Sequence, residues 1–321
     1  MLANSYRNFF FPAVSGAMKS SPSRVYSVSS LTKIYAGMDS PANEAISFSV
    51  EQGVIFGLLG DNGAGKSTLV KQMANLLRPT SGVVKLYGRP VQEDPFLVPR
   101  HVGYMPQTAR TLNSLTVSEA LYFTAHLRGC GRRVADCERE RLLHLWDLYD
   151  IRSEFCSRLS GGQQRLLQLA VAMAGQPPIL ILDEPTNELA PQRRRHVWEN
   201  LRAENRERGT TIIFITHDAI EAEKTVQQVG IMHRGRLVAL GKPSDLKKAL
   251  NQQLRLTLRF QPDSPPDLPA GLRPQKLAEG HWLLLLDQDR VEAALSALDL
   301  SRIDDFQLHS ATLEDLYLHY L

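Results

Sequence analysis

The chain has 321 residues, 43% hydrophobic and 22% charged, with a net charge of +3; this is the balance of an ordinary globular protein, long enough for one large domain and a smaller one. So slight a positive charge gives no argument for nucleic acid, and no apolar run approaches the ~18 residues of a membrane span. The three cysteines, Cys130, Cys137 and Cys156, lack metal-ligand spacing and read as free thiols of a reducing compartment.

Residues 1–24 precede the first strand pattern. Up to Met38 there is no Asp or Glu, while serines and the bases Arg7, Lys19, Arg24 and Lys33 recur, a composition like that of a transit peptide. The cluster Phe9-Phe10-Phe11 runs directly into Pro12, with no apolar core of signal-peptide length behind it. The segment therefore reads as a disordered extension, with a translation start at Met18 as an alternative. Short strands are expected over residues 25–87, including an apolar one at 54–59. The next stretch, Gly60-Asp61-Asn62-Gly63-Ala64-Gly65-Lys66-Ser67-Thr68, fits G-x-x-x-x-G-K-[ST]. Its glycines allow a tight turn that aims several N–H groups at one anion. The start of the following helix adds a positive dipole end. Lys66 can reach β- and γ-phosphates, and the Ser67 hydroxyl can ligate Mg²⁺. Leu69, Met73, Leu76 and Leu77 predict that helix, and residues 78–82 end it.

Residues 109–157 are expected to be helical. Thr116 and Glu119 fit a capping box, and Leu142, Leu145, Trp146 and Tyr149 share one helical face. Helix and strand then alternate: helix 165–174, strand 179–182, helix 191–206, strand 211–215. Such alternation implies a parallel sheet with helical crossovers. Residues 230–241 predict a hairpin turning at Arg234-Gly235. A Pro-rich linker over 261–274 follows, among strands 254–260 and 281–286 and a helix 290–298, with a last helix at 311–318. Residues 250–321 thus read as a small α+β accessory domain. No internal repeat is visible, so there is one nucleotide domain.

Strand 179–182 ends in Asp183 and Glu184. The first can hold Mg²⁺ through water and the second can polarise an attacking water. At residues 159–165 a Ser-Gly-Gly turn opens a helix, a second anion-binding arrangement. Two such helix starts with one nucleotide suggest a site shared between two copies. The run Arg193-Arg194-Arg195 reads as a solvated helix face, with phosphate contact as the alternative.

In the order Tyr35, the loop 60–68, Gln107, the Ser160 turn, Asp183-Glu184 and His217, residues 25–245 resemble the ATP-binding subunit of an ABC transporter. The resemblance implies an α/β fold, a P-loop NTPase of ABC type. A mixed β core over 25–249 would carry a helical insert at about 109–158. It implies ATP and Mg²⁺ as cofactors, with Ser67, Gln107 and Asp183 toward the metal. Glu184, His217 and Gln107 would serve hydrolysis, and Tyr35 would stack on adenine. Ser160, Gly161, Gly162 and Gln163 would close over ATP held by the partner's phosphate loop. Implied partners are a separate transmembrane permease, docked on the helical insert, and a second ATP-binding subunit, identical or different; nucleic acid is not among them. The expected location is the cytoplasmic face of the membrane. The ending Leu313-Glu314-Asp315-Leu316-Tyr317 resembles that of bacterial drug, lipid and polysaccharide exporters, which implies export; import is the alternative. Two rivals remain. A soluble ABC ATPase acting on ribosomes or nucleic acid usually has two nucleotide domains or a long coiled-coil insert. A non-hydrolysing regulator has no use for Glu184 and His217. One departure stands out: Glu188-Leu189-Ala190 replaces the family's usual Gly-Leu-Asp, which implies retained hydrolysis with altered communication between two sites.

Overall fold

The computed structural model describes residues 23–108, 112–249, 253–268, 272–287, 290–310 and 312–313. Two antiparallel strands come first, β1 (Arg24–Lys33) and β2 (Asn43–Glu51). Their alternation buries Tyr26 and Val28 on one and Ile46, Phe48 and Val50 on the other. β1 starts at Arg24; of the expected extension over residues 1–24, residues 1–22 lie outside the described residues. β3 (Ile55–Gly60) is buried throughout and leads into α1 (Lys66–Met73). This helix ends sooner than the spacing of Leu76 and Leu77 predicts. Asn75 takes a left-handed φ of 57°, which breaks the helical path and leaves Leu76 exposed. β4 (Ser81–Leu86) and the short β5 (Arg89–Pro90) complete an antiparallel sheet of order β2-β1-β4-β5.

α2 (Leu97–His101) leads to β6 (Val102–Met105), and the chain then enters its helical insert. α3 (Val117–Leu127) has the expected capping box: Thr116 accepts from the Glu119 N–H, and the Glu119 carboxylate accepts from the Thr116 N–H at 2.8 Å. In and just beyond α4 (Arg132–Leu145), Leu142 and Trp146 are buried and Leu145 half-buried. Tyr149 departs from the expected face. Asp147 takes a φ of 54°, so Tyr149 falls in a separate 3-10 turn, where its exposed ring stacks on His144 at 4.6 Å. α5 (Gly161–Met173) begins four residues before the predicted helix start at 165.

β7 (Ile179–Asp183), α6 (Pro191–Arg208), β8 (Thr211–Thr216), α7 (Ala219–Glu223), β9 (Gln228–His233) and β10 (Arg236–Gly241) follow. The hairpin between β9 and β10 turns at Arg234 and Gly235, with φ of 45° and 78°, the paired positive values that a tight two-residue connection needs. Strand order in this second sheet is β10-β9-β3-β8-β7-β6, parallel except for β10. Its central strands β3, β7 and β8 are buried in every position because both faces are covered. Phe56, Leu58, Ile179, Ile181, Ile213 and Ile215 face a core shared with α1 and the first sheet. Leu59, Leu180, Leu182, Ile212 and Phe214 face a second core with the helical insert, α5 and α6.

After α8 (Pro243–Ala249) a third sheet forms from β11 (Gln253–Arg259), β12 (Gln275–Ala278), β13 (His281–Asp287) and, past α9 (Val291–Ser296), β14 (Asp305–Ser310). Its order is β12-β13-β11-β14, and Leu256, Leu258, Phe260, Leu284, Leu286, Ala294 and Leu298 form its own apolar cluster. The edge strands β12 and β14 fall where the sequence pattern predicts none. Both are largely exposed, so neither carries the buried period that marks β11 and β13. Most of the expected last helix, 311–318, lies outside the described residues. Leu313 is fully buried in the core of the second sheet, and its N–H donates to the Glu223 carboxylate at 2.9 Å. Among the described residues no helix is long and apolar enough to cross a membrane.

The approach of α5 to β6 needs a residue without a side chain at Gly103, where a Cβ would stand 2.0 Å from the Ala172 carbonyl oxygen. Gly103→Ala is expected to push α5 off the sheet and cost about 1–3 kcal/mol, as overpacking does. Urea unfolding against wild type would measure it.

Candidate functional site

The parallel strands β3, β8, β7 and β6 are neighbours in that order and end at one edge of the sheet. Loops leaving the carboxyl ends of parallel strands are where open α/β sheets build their sites. Four candidate segments leave from here: the loop 60–68, Asp183-Glu184, His217 and Gln107.

The loop after β3 fits tightly against its surroundings. Gly65 has a φ of 95°, and a Cβ there would lie 2.1 Å from the Ala42 carbonyl oxygen; at Gly60 one would lie 2.4 Å from that of Met232. Behind the loop, the buried Asn43 amide donates to the Gly65 carbonyl at 3.0 Å and accepts from buried Gln72 at 2.7 Å. Asp61, Asn62 and Gly63 are exposed, Ala64 is buried, and Ser67 and Thr68 are half-buried. The buried Lys66 ammonium donates back to the Gly60 and Asp61 carbonyls, at 2.5 and 2.9 Å. Burial pushes its pKa down, while Glu184, Asp183 and Asp61 pull it up. The Tyr35 ring is partly exposed, with its hydroxyl 3.3 Å from that of Thr68.

Asp183 is buried at the end of β7. Burial raises its pKa, against a hydrogen bond from Ser67 and the charges of Lys66 and Lys71; Glu184 adds to the rise. Ser67 and Asp183 are therefore adjacent oxygen donors of the kind Mg²⁺ takes, and Mg²⁺ characteristically completes its shell with phosphates and water. Among the described residues no cluster of His, Cys, Asp and Glu forms an all-protein metal cage.

Glu184 extends the sheet by one bond, its N–H donating to the Ile215 carbonyl at 3.0 Å, then turns with a φ of 51°. That turn aims its carboxylate at three loops. Oε1 lies 2.9 Å from His217 Nδ1; Oε2 accepts from Gln107 Nε2 at 3.3 Å and from Asn187 Nδ2 at 3.1 Å. Only 7% of Glu184 is exposed. Asn187 is not among the sequence candidates; an amide three residues beyond a carboxylate carries no signal until the loop is folded.

The Ser160 turn has a structural task of its own. Ser160 and Gln163 form a capping box for α5, in which the Gln163 carboxamide oxygen accepts from the Ser160 N–H at 2.9 Å and Ser160 Oγ accepts from the Gln163 N–H. Gly161 and Gly162 are the first helical residues. Among the described residues no hydrogen bond joins this turn to the loop 60–68 of the same chain. α5 does reach the Glu184 cluster: the buried Arg165 donates to the Gln107 carbonyl at 3.1 Å. Burial lowers the Arg165 pKa against the pull of Glu188, Glu184 and Asp183. Nothing in residue spacing marks this arginine as a link. At Glu188 the chain has a φ of 64°, a conformation easier for glycine, and Ala190 occupies the N-cap of α6 without a side-chain bond.

The raised pKa of Asp183 states that its charge is disfavoured in the folded protein. A folded-state pKa above the unfolded value lowers stability once the carboxylate ionises, at pH above that of the free acid. Asp183→Asn is therefore expected to stabilise the nucleotide-free protein at pH 7, with the gain shrinking toward pH 4. Thermal unfolding at the two pH values tests this.

A family model described as ABC transporter matches residues 43–187, and one described as AAA domain, putative AbiEii toxin, Type IV TA system matches residues 154–222. The chain is 32% identical over 288 residues to the daunorubicin/doxorubicin resistance ATP-binding protein DrrA of Streptomyces peucetius, covering 90% of this chain and 83% of DrrA. It is 38% identical over 217 residues to the probable multidrug ABC transporter ATP-binding protein YbhF of Escherichia coli K12, covering 68% of this chain but 37% of YbhF. Among solved structures, a dimeric post-hydrolysis state of the ATP-binding cassette MJ0796 bound to ADP and Pi superimposes with a TM-score of 0.64 at 22% identity, over 68% of this chain and 98% of that one. A P-loop NTPase fold and similarity along nearly the whole length of DrrA lead to one conclusion: the chain belongs to the ABC transporter family, as an ATP-binding subunit with an ATPase domain.

Proposed function

We propose that this chain hydrolyses ATP to power a membrane exporter, and that two copies close head to tail over two ATP molecules. The observation that carries the reading is the convergence of Gln107, Asn187 and His217 on the buried Glu184 beside Lys66 and Asp183. A carboxylate so held has one free direction in which to take a proton from water, and the attacking water needs such a base. His217, bonded to Glu184 through Nδ1, keeps its other ring nitrogen for the water or the γ-phosphate. Gln107 links that same position to α5 through its carbonyl, held by Arg165.

The residues present fit the nucleotide and its metal. Gly60, Asp61, Asn62, Gly63, Ala64, Gly65 and Thr68 wrap the phosphates with backbone N–H groups, and Lys66 exchanges its carbonyl partners for phosphate oxygens. Ser67, Asp183 and Gln107 would hold Mg²⁺, which when bound would shield phosphate charge. Tyr35 packs on adenine. Ser160, Gly161, Gly162 and Gln163 present the start of α5 to the partner's ATP. Residues 25–249 act as the ATPase unit and 250–321 as an accessory domain. A separate permease docks on the helical insert, which holds the protein at the cytoplasmic membrane face. The drug-resistance role named for DrrA and the multidrug description of YbhF favour export over import.

ATP turnover tests the reading. Glu184→Gln is expected to lower it by about 10²–10⁴-fold, the range for loss of a general base, while an ATP-bound dimer accumulates in sedimentation. Wild-type protein without turnover would refute it. Ala190→Asp should add a helix cap worth about 1 kcal/mol, read by unfolding, and should alter the cooperativity of ATPase activity with ATP concentration. Unchanged cooperativity would end the idea that Ala190 modifies communication between sites.

A further inference from the structure

The start of α5 carries two charges that the proposed function leaves unexplained. A Cβ on Gly162 would lie 3.0 Å from Arg193 Nη1, so the guanidinium fills the space of the absent side chain. A Cβ on Gly161 would lie 3.4 Å from Glu188 Oε2. A full positive and a full negative charge thus flank the same helix start, Arg193 from the first turn of α6 and Glu188 from the loop between β7 and α6. Both residues are exposed, and among the described residues neither side chain makes a hydrogen bond or an ion pair. The other arginines of the run are engaged: Arg194 donates to the Leu189 carbonyl at 2.9 Å, and Arg195 to Glu199 at 2.8 Å. The expected solvated face fits Arg195, 82% exposed at its side chain, and Arg193 is exposed as well, but of the three only Arg193 is placed against Gly162.

We propose that Arg193 is a further ligand for the triphosphate of the partner's ATP, supplied across the dimer from beside Gly162, and that Glu188 opposes it. This rests on the reading of the Ser160 turn as the cap over that nucleotide. A guanidinium presents a planar fork of N–H donors that matches phosphate oxygens and keeps its charge at every working pH. Its place beside Gly162 adds a mobile full charge to the fixed partial charges of the helix start. Glu188 places a carboxylate where the incoming anion must approach Gly161, and so repels it. The balance of the two sets how much ATP is needed to close the dimer. ADP, with one phosphate fewer, gains less from Arg193 and releases the pair.

The test uses the full chain carrying Glu184→Gln, so that ATP persists. Sedimentation over an ATP series gives the concentration for half-maximal dimer, and a fluorescent ATP analogue at low protein concentration gives the affinity of the single protomer. Adding Arg193→Ala should raise the half-maximal concentration about tenfold or more, the effect of losing a charge-assisted bond. Arg193→Gln should do the same, and Glu188→Gln should lower it several-fold. Protomer affinity should be unchanged in all three, which a folding defect would not allow. Higher salt should weaken the parent dimer more than the Arg193 variants. Dimerisation of both Arg193 variants at the parent's ATP concentration would overturn the inference and leave the proposed function standing. A parent that never dimerises would remove the proposed function, and this inference with it.

Discussion

Glu184 accepts hydrogen bonds from two amides and lies against an imidazole, with one residue from the loop after β6, one from the loop after β8 and one from its own loop. A carboxylate 7% exposed must be compensated by such partners, because burying an unpartnered charge costs several kcal/mol. The requirement runs in both directions. The three loops converge because the charge demands donors, and the charge is directed because the loops converge. What allows this is the strand order β3-β8-β7-β6, which sets four loops side by side.

The cradle beside it rests on the same principle with the sign reversed. Lys66 is buried with the Gly60 and Asp61 carbonyls as its hydrogen-bond acceptors, and burial lowers its pKa against the pull of Glu184, Asp183 and Asp61. A cation in that state gains more from a phosphate than a solvated lysine would, since the desolvation is already complete. The loop cannot relax away from this arrangement. Gly65 and Gly60 press against the carbonyls of Ala42 and Met232, and Asn43 and Gln72 brace the loop from behind.

Further ties lead away from the site. Arg165 joins α5 to the Gln107 backbone, five residues or about 7.5 Å along the helix from the Ser160 turn. At the other end of α5, Arg128 donates to the carbonyls of Val171, Ala172 and Ala174 and fastens the end of α3 there; burial pushes its pKa down to about 10. Beyond His217, Glu223 on α7 binds both Lys247 and the Leu313 N–H. The last described residue is thereby tied to the helix that follows His217.

Much of this was legible in the residues alone. Hydrophobic period and turn chemistry marked β3, β7, β8, α5, α6 and the Arg234-Gly235 hairpin, because those features depend on neighbours within a few positions. The tight turn of the loop 60–68 into α1 was legible for the same reason, being one continuous segment. Local signals failed where a backbone angle or a sheet edge decided: Asn75 ended α1 early, Asp147 displaced Tyr149, and β12 and β14 had no buried period to show. Tertiary structure alone decided that Asn187 bonds Glu184, that Arg165 holds Gln107, and that Arg193 rather than its neighbours stands over Gly162. Those contacts join residues whose separation along the chain says nothing of their distance in space, and only the packing of α5 and α6 on the parallel sheet brings them together.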